Sequence, residues 1–178
     1  MTDSLIYRAA EPSRATRKVV RRSKASLRGS MIAKLPAFQR PRVIYFESML
    51  EYRFVCLMLV QPDVYDIQEQ PRAILYRRHD GSLGTHIFDF LVTRTDGSRT
   101  AVAIKPLRRV ESRNFKSELA LVAASVTKDF ADRIKLVTDA QLDRHAATKA
   151  ERQLMRDRPS LTEVTACTCV CDLRLPTC

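Results

Sequence analysis

The sequence contains no long apolar run, and this absence argues against a protein built on membrane-spanning helices. The apolar stretch Val55–Val60 is far shorter than the roughly 20 residues that cross a bilayer. The N-terminus is basic, but no apolar segment follows it that could serve as a secretory signal peptide. We therefore expect a soluble protein of the cytoplasm.

Cysteine and histidine are too few and too unevenly spaced to predict a zinc site. Cys56 lies in an apolar stretch with helical spacing, where we expect it to pack as a small hydrophobic side chain. The other four cysteines fall within the last twelve positions: Cys167, Cys169, Cys171 and Cys178. No second pair and no nearby histidine completes a ligand set. A metal-binding tail and a frayed terminus with incidental thiols both stay open.

The excess of basic residues is concentrated near the N-terminus. Of the formal net charge of +11, residues 1–45 contribute +9, because eleven Lys and Arg residues are balanced only by Asp3 and Glu11. Such a segment attracts polyanions by releasing their counterions, which favours nucleic acid as the partner. A solvated basic arm without a specific partner is the alternative.

The length of 178 residues, with 45% hydrophobic and 29% charged residues, fits one globular domain with terminal extensions. Residues 1–30 are polar and without periodicity, so we expect an arm with at most one short helix within 14–26. Lys34–Val43 contains two prolines and predicts an extended connector. We therefore divide the chain into a basic N-terminal arm (1–33), a folded domain (34–158) and a cysteine-containing C-terminal tail (159–178).

Within the folded domain, helical and strand-like patterns alternate. Apolar residues recur every three or four positions from Phe46 to Met58, which predicts a helix that ends before Pro62. Strand-like segments follow at Val64–Glu69, Ala73–Arg77, Thr85–Thr93, Arg99–Lys105 and Ile134–Thr138. Further helices are expected over Phe115–Phe130 and Gln141–Arg156. This order predicts an α/β domain with a mixed central sheet flanked by helices.

Three charged residues are the candidates for chemistry. Glu51 lies on the first predicted helix, Asp89 interrupts an apolar strand, and Lys105 ends the next strand. A charge inside an apolar strand is costly unless it is paired or bound to a metal. Two adjacent antiparallel strands would bring Asp89 and Lys105 to the same end of a sheet. Glu51 and Asp89 can then hold Mg²⁺, while Lys105 orients a water and offsets charge on a phosphodiester.

The same residues also admit purely structural roles. Asp89 and Lys105 can form an ion pair at the end of a sheet, and Glu51 can be a solvated helix residue. Glu47 lies four residues before Glu51 on the predicted helix and is a secondary candidate, or it can pair with Arg53. The residue pattern alone leaves these alternatives open.

Five short motifs, in the same order and at similar spacing, resemble those of the TnsA-like transposon endonucleases. They are ESxLE at Glu47–Glu51, a segment ending in QP at Pro62–Pro71, a PDFxV-like strand at Phe88–Val92, an E/Q-V-K-P-like strand at Ala103–Pro106 and vTdxxL at Val137–Leu142. The resemblance extends over about residues 15–155 and includes the basic lead-in at Arg17–Arg22.

This resemblance implies a restriction-endonuclease-like fold of the PD-(D/E)xK type, and an endonuclease that hydrolyses one DNA strand at transposon ends. It implies catalytic roles for Glu51, Asp89 and Lys105. Mg²⁺, or Mn²⁺ in its place, would be held by Glu51, Asp89 and the main-chain carbonyl of Ile104. It further implies work on double-stranded DNA in the bacterial cytoplasm, at the nucleoid, as part of a heteromeric transposase. The implied partners are a DDE-type transposase subunit and an ATPase regulator.

Two positions depart from the family motifs. Phe88 replaces the proline before the strand aspartate, and that proline has no chemical role. Ala103 replaces the Glu or Gln two residues before Lys105, so that one side-chain metal ligand is missing. The alternative to an active endonuclease is therefore a weakened or inactive nuclease-fold subunit that binds DNA and assists assembly. A generic nucleic-acid-binding domain is a third interpretation, which does not explain why Asp89 interrupts an apolar strand.

Basic residues expected to contact the DNA backbone lie in the arm and just after Lys105. They are Arg17, Lys18, Arg21, Arg22, Lys24, Arg28, Arg108 and Arg109. For the last two, a solvated loop is equally consistent with the sequence. The three histidines, His79, His86 and His145, have no partner at ligand spacing, and we expect surface or capping roles for them.

Overall fold

The computed structural model describes residues 9–17, 27–112 and 114–157. In these parts of the chain the strands are β1 (Gly29–Ala33), β2 (Arg42–Phe46), β3 (Val64–Glu69), β4 (Ile74–Arg77), β5 (Leu83–His86), β6 (Phe90–Arg94), β7 (Arg99–Ile104) and β8 (Arg133–Val137). The helices are α1 (Met49–Leu59), α2 (Leu107–Ser112), α3 (Phe115–Ser125) and α4 (Arg144–Arg156).

The central sheet has the strand order β3-β6-β7-β8. β6 is antiparallel to both of its neighbours, whereas β7 and β8 are parallel. The connection from β7 to β8 runs through α2 and α3, as a parallel pair requires a long crossover. β1 pairs with β2, and β4 with β5, in two separate antiparallel hairpins. A mixed sheet flanked by helices confirms the predicted α/β fold class.

The two faces of the sheet belong to different apolar clusters. Along β7, Val102 faces the cluster that contains Phe54 of α1. Ala101 and Ala103 face the other cluster, which contains Val122 of α3. This alternation is the period of two expected for a strand that is buried on both faces. α4 packs against α1.

Most elements predicted from periodicity are present, and the differences have physical causes. The segment Thr85–Thr93, predicted as one strand, is two strands, because the chain leaves the β4–β5 hairpin and joins the central sheet at residues 87–89. α3 ends before the predicted Phe130, since the backbone at Val126 is extended. α2 has no counterpart among the predicted elements, and only one of its six residues, Val110, is buried.

The N-terminal part of the domain differs most from the predicted arm and connector. β1 lies inside the segment predicted as an arm and pairs with β2, with Gly29 opposite Phe46. A Cβ atom at Gly29 would lie 2.6 Å from the Phe46 ring, so any larger residue in this pair would force that ring to move. β1 is short and partly exposed, which hides it from a pattern search. Residues 14–17 of the helix predicted within 14–26 are not helical, and 18–26 lie outside the described residues.

Residues 9–17, which belong to the predicted arm, lie against the folded domain. The Val43 amide donates to the Glu11 carbonyl at 2.9 Å, and the Thr16 amide donates to the Gln70 carbonyl at 3.0 Å. The segment therefore joins the domain through main-chain hydrogen bonds at both of its ends. The prediction of an extended basic arm needs this correction for residues 9–17.

No helix within the described ranges is long and apolar enough to cross a membrane. Cys56 is fully buried in α1, as predicted for a small apolar side chain. The cysteines of the predicted tail, 159–178, lie outside the described residues.

Candidate active site

Glu51 is held at the start of α1 by a capping box. Ser48 is the N-cap, and its Oγ accepts a hydrogen bond from the Glu51 amide (3.2 Å) and donates one to Glu51 Oε1 (3.0 Å). The Glu47 amide donates to Glu51 Oε2 at 2.6 Å. These bonds satisfy amides that a helix start leaves unpaired, and they also orient the carboxylate. Because Glu51 is only 7% exposed, the alternative of a solvated helix residue is wrong.

Asp89 and Lys105 lie at adjoining ends of β6 and β7. Asp89 immediately precedes β6, Lys105 immediately follows β7, and the antiparallel register brings them together. Lys105 Nζ lies 3.2 Å from Asp89 Oδ2, which also accepts the Ile104 amide at 2.6 Å. Asp89 is buried, whereas about a third of the Lys105 side chain is exposed. The predicted convergence at one end of the sheet is confirmed, and the two residues form an ion pair in which the lysine side chain is partly exposed.

The carboxylate of Glu51 lies within electrostatic reach of this pair. Burial, and after it the negative charge of Asp89, raise the pKa of Glu51 to about 7. Hydrogen bonds from Glu47 and Ser48 and the positive charge of Lys105 act in the opposite direction but do not compensate. The two buried carboxylates therefore repel one another, and the protein supplies less positive charge than they need.

The two carboxylates fit a hard divalent cation. A cation between Glu51 and Asp89 would relieve their repulsion, and Mg²⁺ is commonly bound by one or two carboxylates together with water and substrate phosphate. Among the described residues, no group of three or more His, Cys, Asp or Glu side chains lies close enough to hold a metal ion. Ala103 is fully buried on the apolar face of β7, so no side-chain oxygen comes from that position. The carbonyl of Ile104 as a third ligand stays a prediction.

Glu47 occupies a different place from the one predicted. It precedes the N-cap of α1 and is not on the helix, so it does not share a helical stripe with Glu51. Its carboxylate accepts a hydrogen bond from Arg17 Nη2 and lies 3.9 Å from Arg28 Nε. These two arginines, and not Arg53, are the ion-pair partners that the structure gives to Glu47.

Gln70 is a site residue that the sequence interpretation did not single out. Its main-chain amide donates to the main-chain carbonyl of Asp89 at 3.0 Å, and its side-chain oxygen accepts a hydrogen bond from Arg17 Nε. Gln70 is buried and has a φ of +45°, an uncommon backbone conformation for a residue other than glycine. Its position in the QP motif was the one signal in the sequence, but the motif does not reveal which side chains Gln70 contacts.

His86 also belongs near the site, although a surface or capping role was predicted for it. Its ring packs edge-on against Phe88, with ring centroids 4.7 Å apart, and its Nε2 is buried without a hydrogen-bond partner in the described structure. Burial, and after it the positive charge of Lys105, lower the pKa of His86, which keeps the imidazole neutral. His79 lies on the surface, where its Nε2 is 3.1 Å from Ser117 Oγ.

The residues predicted to contact DNA fall into three groups. Lys18, Arg21, Arg22 and Lys24 lie outside the described residues. Arg17 and Arg28 both contact Glu47 beside the candidate site. Arg108 and Arg109 are exposed on α2, directly after Lys105, and are not in a loop. DNA contact by any of them stays a prediction.

A mixed sheet with aspartate and lysine at adjoining strand ends, and a buried helical glutamate beside them, defines the restriction-endonuclease-like class of folds. The sequence model of the family described as "TnsA-like endonuclease N terminal" matches residues 61–157. The chain belongs to the TnsA-like endonuclease family, a family of nucleases related to transposition, as its motifs predict. Asp89 and Lys105 lie inside the matched region, and Glu51 precedes it. No curated protein matches the sequence.

Proposed function

We propose that this chain is a Mg²⁺-dependent DNA endonuclease subunit of a heteromeric transposase, which hydrolyses one strand at the transposon end. The observation that carries the proposal is the pair of buried carboxylates, Glu51 and Asp89, next to the partly exposed side chain of Lys105. A structural ion pair alone would not require a second carboxylate buried at an energetic cost beside it. Membership of the family supports the same activity.

In this proposal each of the three side chains has a separate task. Glu51 and Asp89 hold the cation, and Mn²⁺ is expected to replace Mg²⁺. Mg²⁺ held there would polarise the phosphodiester and lower the pKa of the attacking water. Lys105 orients the attacking water and offsets negative charge that develops on the phosphate. The hydrogen bond from the Ile104 amide keeps Asp89 Oδ2 in place.

The partners follow from the charge distribution and from the family. Double-stranded DNA is the proposed substrate, and the exposed Arg108 and Arg109 would bind its backbone near Lys105. A DDE-type transposase subunit would carry out strand transfer, and an ATPase would regulate it. The protein would then act at the nucleoid in the bacterial cytoplasm.

A nicking assay on transposon-end DNA, with the partner transposase and Mg²⁺, tests the proposal. We expect Asp89→Asn and Lys105→Gln each to reduce nicking by at least about a hundredfold without loss of DNA binding, as is typical when an electrostatic catalytic group is removed. Asp129→Asn and Lys149→Gln remove the same charges at exposed positions and serve as matched controls. Unchanged nicking by the first two variants would show that the assignment is wrong.

A second candidate is a nuclease-fold subunit that binds DNA without cutting it. Ala103 is the specific observation in its favour, because a buried alanine stands where the family motif has a Glu or Gln. This candidate predicts that the wild-type chain binds transposon-end DNA and supports strand transfer by the transposase, but produces no nick of its own in Mg²⁺ or Mn²⁺.

A further inference from the structure

Arg17, in the N-terminal segment 9–17, contacts two residues that help to hold the candidate site in place. Arg17 Nη2 donates to Glu47 Oε2, and Arg17 Nε donates to Gln70 Oε1. Thr16 holds the segment in place, because its Oγ1 donates to the carbonyls of Gln70 (2.9 Å) and Pro71 (3.0 Å). The guanidinium therefore lies between Glu47, which precedes the N-cap of α1, and Gln70, which directly follows β3.

Each partner of Arg17 is in turn bonded to one of the two candidate metal ligands. The main-chain amide of Glu47 donates to Glu51 Oε2 at 2.6 Å. The main-chain amide of Gln70 donates to the carbonyl of Asp89 at 3.0 Å. Glu51 and Asp89 themselves belong to elements that are far apart in the sequence, since Glu51 lies at the start of α1 and Asp89 directly precedes β6. Arg17 thus adds a second connection between Glu47 and Gln70, beside the direct hydrogen bond from Gln70 Nε2 to Glu47 Oε2 at 3.5 Å.

Glu47 and Gln70, the two partners of Arg17, also contact each other, and Gln70 has a backbone conformation that needs support from its surroundings. Gln70 Nε2 lies 3.5 Å from Glu47 Oε2, so the same carboxylate oxygen meets both Arg17 and Gln70. Gln70 adopts a left-handed backbone conformation, which persists only where the surroundings enforce it. The hydrogen bonds from Thr16 and Arg17 help to hold Gln70 in this conformation.

We propose that Arg17 is a positioning residue for the metal site, which fixes the separation of Glu51 and Asp89 by clamping Glu47 and Gln70 together. This inference rests on the proposed function, because it assigns a role in the same site. It differs from the sequence prediction, in which Arg17 contacts the DNA backbone. A guanidinium that already bonds a carboxylate and an amide oxygen has fewer donors left for phosphate.

Arg14 offers a closely matched control in the same segment. Arg14 pairs with Asp66, with side-chain exposures of 38% and 16%, whereas the Arg17–Glu47 pair has 42% and 14%. Each variant, Arg14→Ala or Arg17→Ala, removes one ion pair between segment and domain at nearly equal exposure. Only the second removes a contact that leads to Glu51 and Asp89.

The test measures Mn²⁺ binding to the full chain by calorimetry, without DNA, together with the Mg²⁺ concentration that gives half-maximal nicking. We expect Arg17→Ala to weaken Mn²⁺ binding and to raise the required Mg²⁺ by about tenfold or more, the range known for residues that orient metal ligands. Gln70→Leu should act in the same direction. Arg14→Ala should change neither quantity, and the KM for DNA should stay the same in all three variants.

Two results would overturn the inference. One is wild-type Mn²⁺ affinity in Arg17→Ala while Asp89→Asn abolishes binding, which leaves the proposed function intact. The other is a raised KM for DNA in Arg17→Ala with an unchanged Mg²⁺ requirement, which would make Arg17 a phosphate contact. If Asp89→Asn binds Mn²⁺ as the wild type does, the proposed metal site itself is wrong.

Discussion

At the scale of single residues, Glu51 is the side chain whose environment is least favourable for its charge. It is buried beside Asp89, and its pKa is raised to about 7. A folded domain gains nothing in stability from such an arrangement, since an apolar or amide side chain would fit without the electrostatic cost. A residue whose charge is buried at an electrostatic cost is common at functional sites.

The raised pKa predicts a pH-dependent effect of Glu51→Gln on stability. Because the folded state holds the proton more tightly, the favourable contribution of neutral Glu51 is complete below pH 4.5 and is lost as the pH rises towards 7. In the absence of metal, Glu51→Gln should therefore raise the free energy of unfolding at pH 8.5, by roughly 3 kcal/mol at most, and change it little near pH 4.5. Denaturant unfolding in EDTA at the two pH values measures this difference.

The same variant should be inactive in nicking, because an amide does not supply the negative charge that a metal site needs. A variant that is more stable and less active separates a functional residue from a structural one. An equal effect on stability at both pH values would contradict the account of Glu51.

Ala103 allows a second prediction at this scale. Its side chain is fully buried in the apolar cluster with Ala101, so a glutamate at either position has to be accommodated in a packed interior. Ala103→Glu and Ala101→Glu should each lower the free energy of unfolding by about 2 kcal/mol or more in EDTA. Thermal unfolding with and without Mg²⁺ distinguishes them: Mg²⁺ should restore stability to Ala103→Glu, which lies next to the site, and not to Ala101→Glu.

Nicking by Ala103→Glu decides between the two candidate functions. If the native two-carboxylate site is competent, the added carboxylate should raise the rate only a few-fold at most. A gain of a hundredfold would mean that the native site is crippled, as the DNA-binding alternative requires.

At the scale of elements, the start of α1 combines capping with the site. Ser48→Ala removes the N-cap hydrogen bond and should destabilise the protein by about 1 kcal/mol. It also removes the hydrogen bond to Glu51 Oε1, so nicking should fall as well. Asp143→Ala removes the corresponding cap of α4, where Asp143 accepts from the amides of His145 and Ala146.

Thermal stability and nicking are measured for both cap variants, Ser48→Ala and Asp143→Ala, and compared. Thermal unfolding should show a similar loss for Ser48→Ala and Asp143→Ala, whereas only Ser48→Ala should reduce nicking at a temperature where both are folded. Equal nicking by the two variants would show that the capping box of α1 has no role beyond helix stability.

The elements also show what the sequence could and could not predict. Strands β3, β6, β7 and β8 and helices α1 and α3 lie in segments with strand-like or helical apolar patterns, so their existence followed from the sequence. The order of the motifs likewise indicated that Glu51, Asp89 and Lys105 belong to one site. β1 and the contacts of Arg17 and Gln70 depend on pairing between distant segments, which local patterns do not encode. A cluster such as Arg17, Glu47 and Gln70 becomes visible only when the chain is folded.

At the scale of the whole molecule, the basic N-terminal region is partly neutralised by the domain. Arg14 pairs with Asp66, and both Arg17 and Arg28 pair with Glu47. The net charge of residues 1–45 therefore overstates the charge that is available to DNA. The exposed Arg108 and Arg109 on α2 are a better-defined candidate surface, because they lie only three and four residues after Lys105.

This surface predicts a change in the salt dependence of DNA binding. If Arg108 and Arg109 each neutralise one phosphate, their replacement by alanine should make the slope of log K against log salt shallower by roughly two. Replacing Arg152 and Arg156, which are exposed on α4, removes the same charge as a control. Fluorescence anisotropy of labelled duplex DNA at several salt concentrations gives the slopes, and equal slopes for the two double variants would remove α2 from the DNA interface.

The central claim is that Glu51 and Asp89 hold one metal ion beside Lys105. A crystal structure of the full chain with Mn²⁺, recorded at a wavelength where manganese scatters anomalously, tests it most directly. We expect one anomalous peak within ligand distance of carboxylate oxygens from both residues, and no such peak in Asp89→Asn. A site without a peak at saturating Mn²⁺, with the Asp89–Lys105 ion pair unchanged, would contradict it.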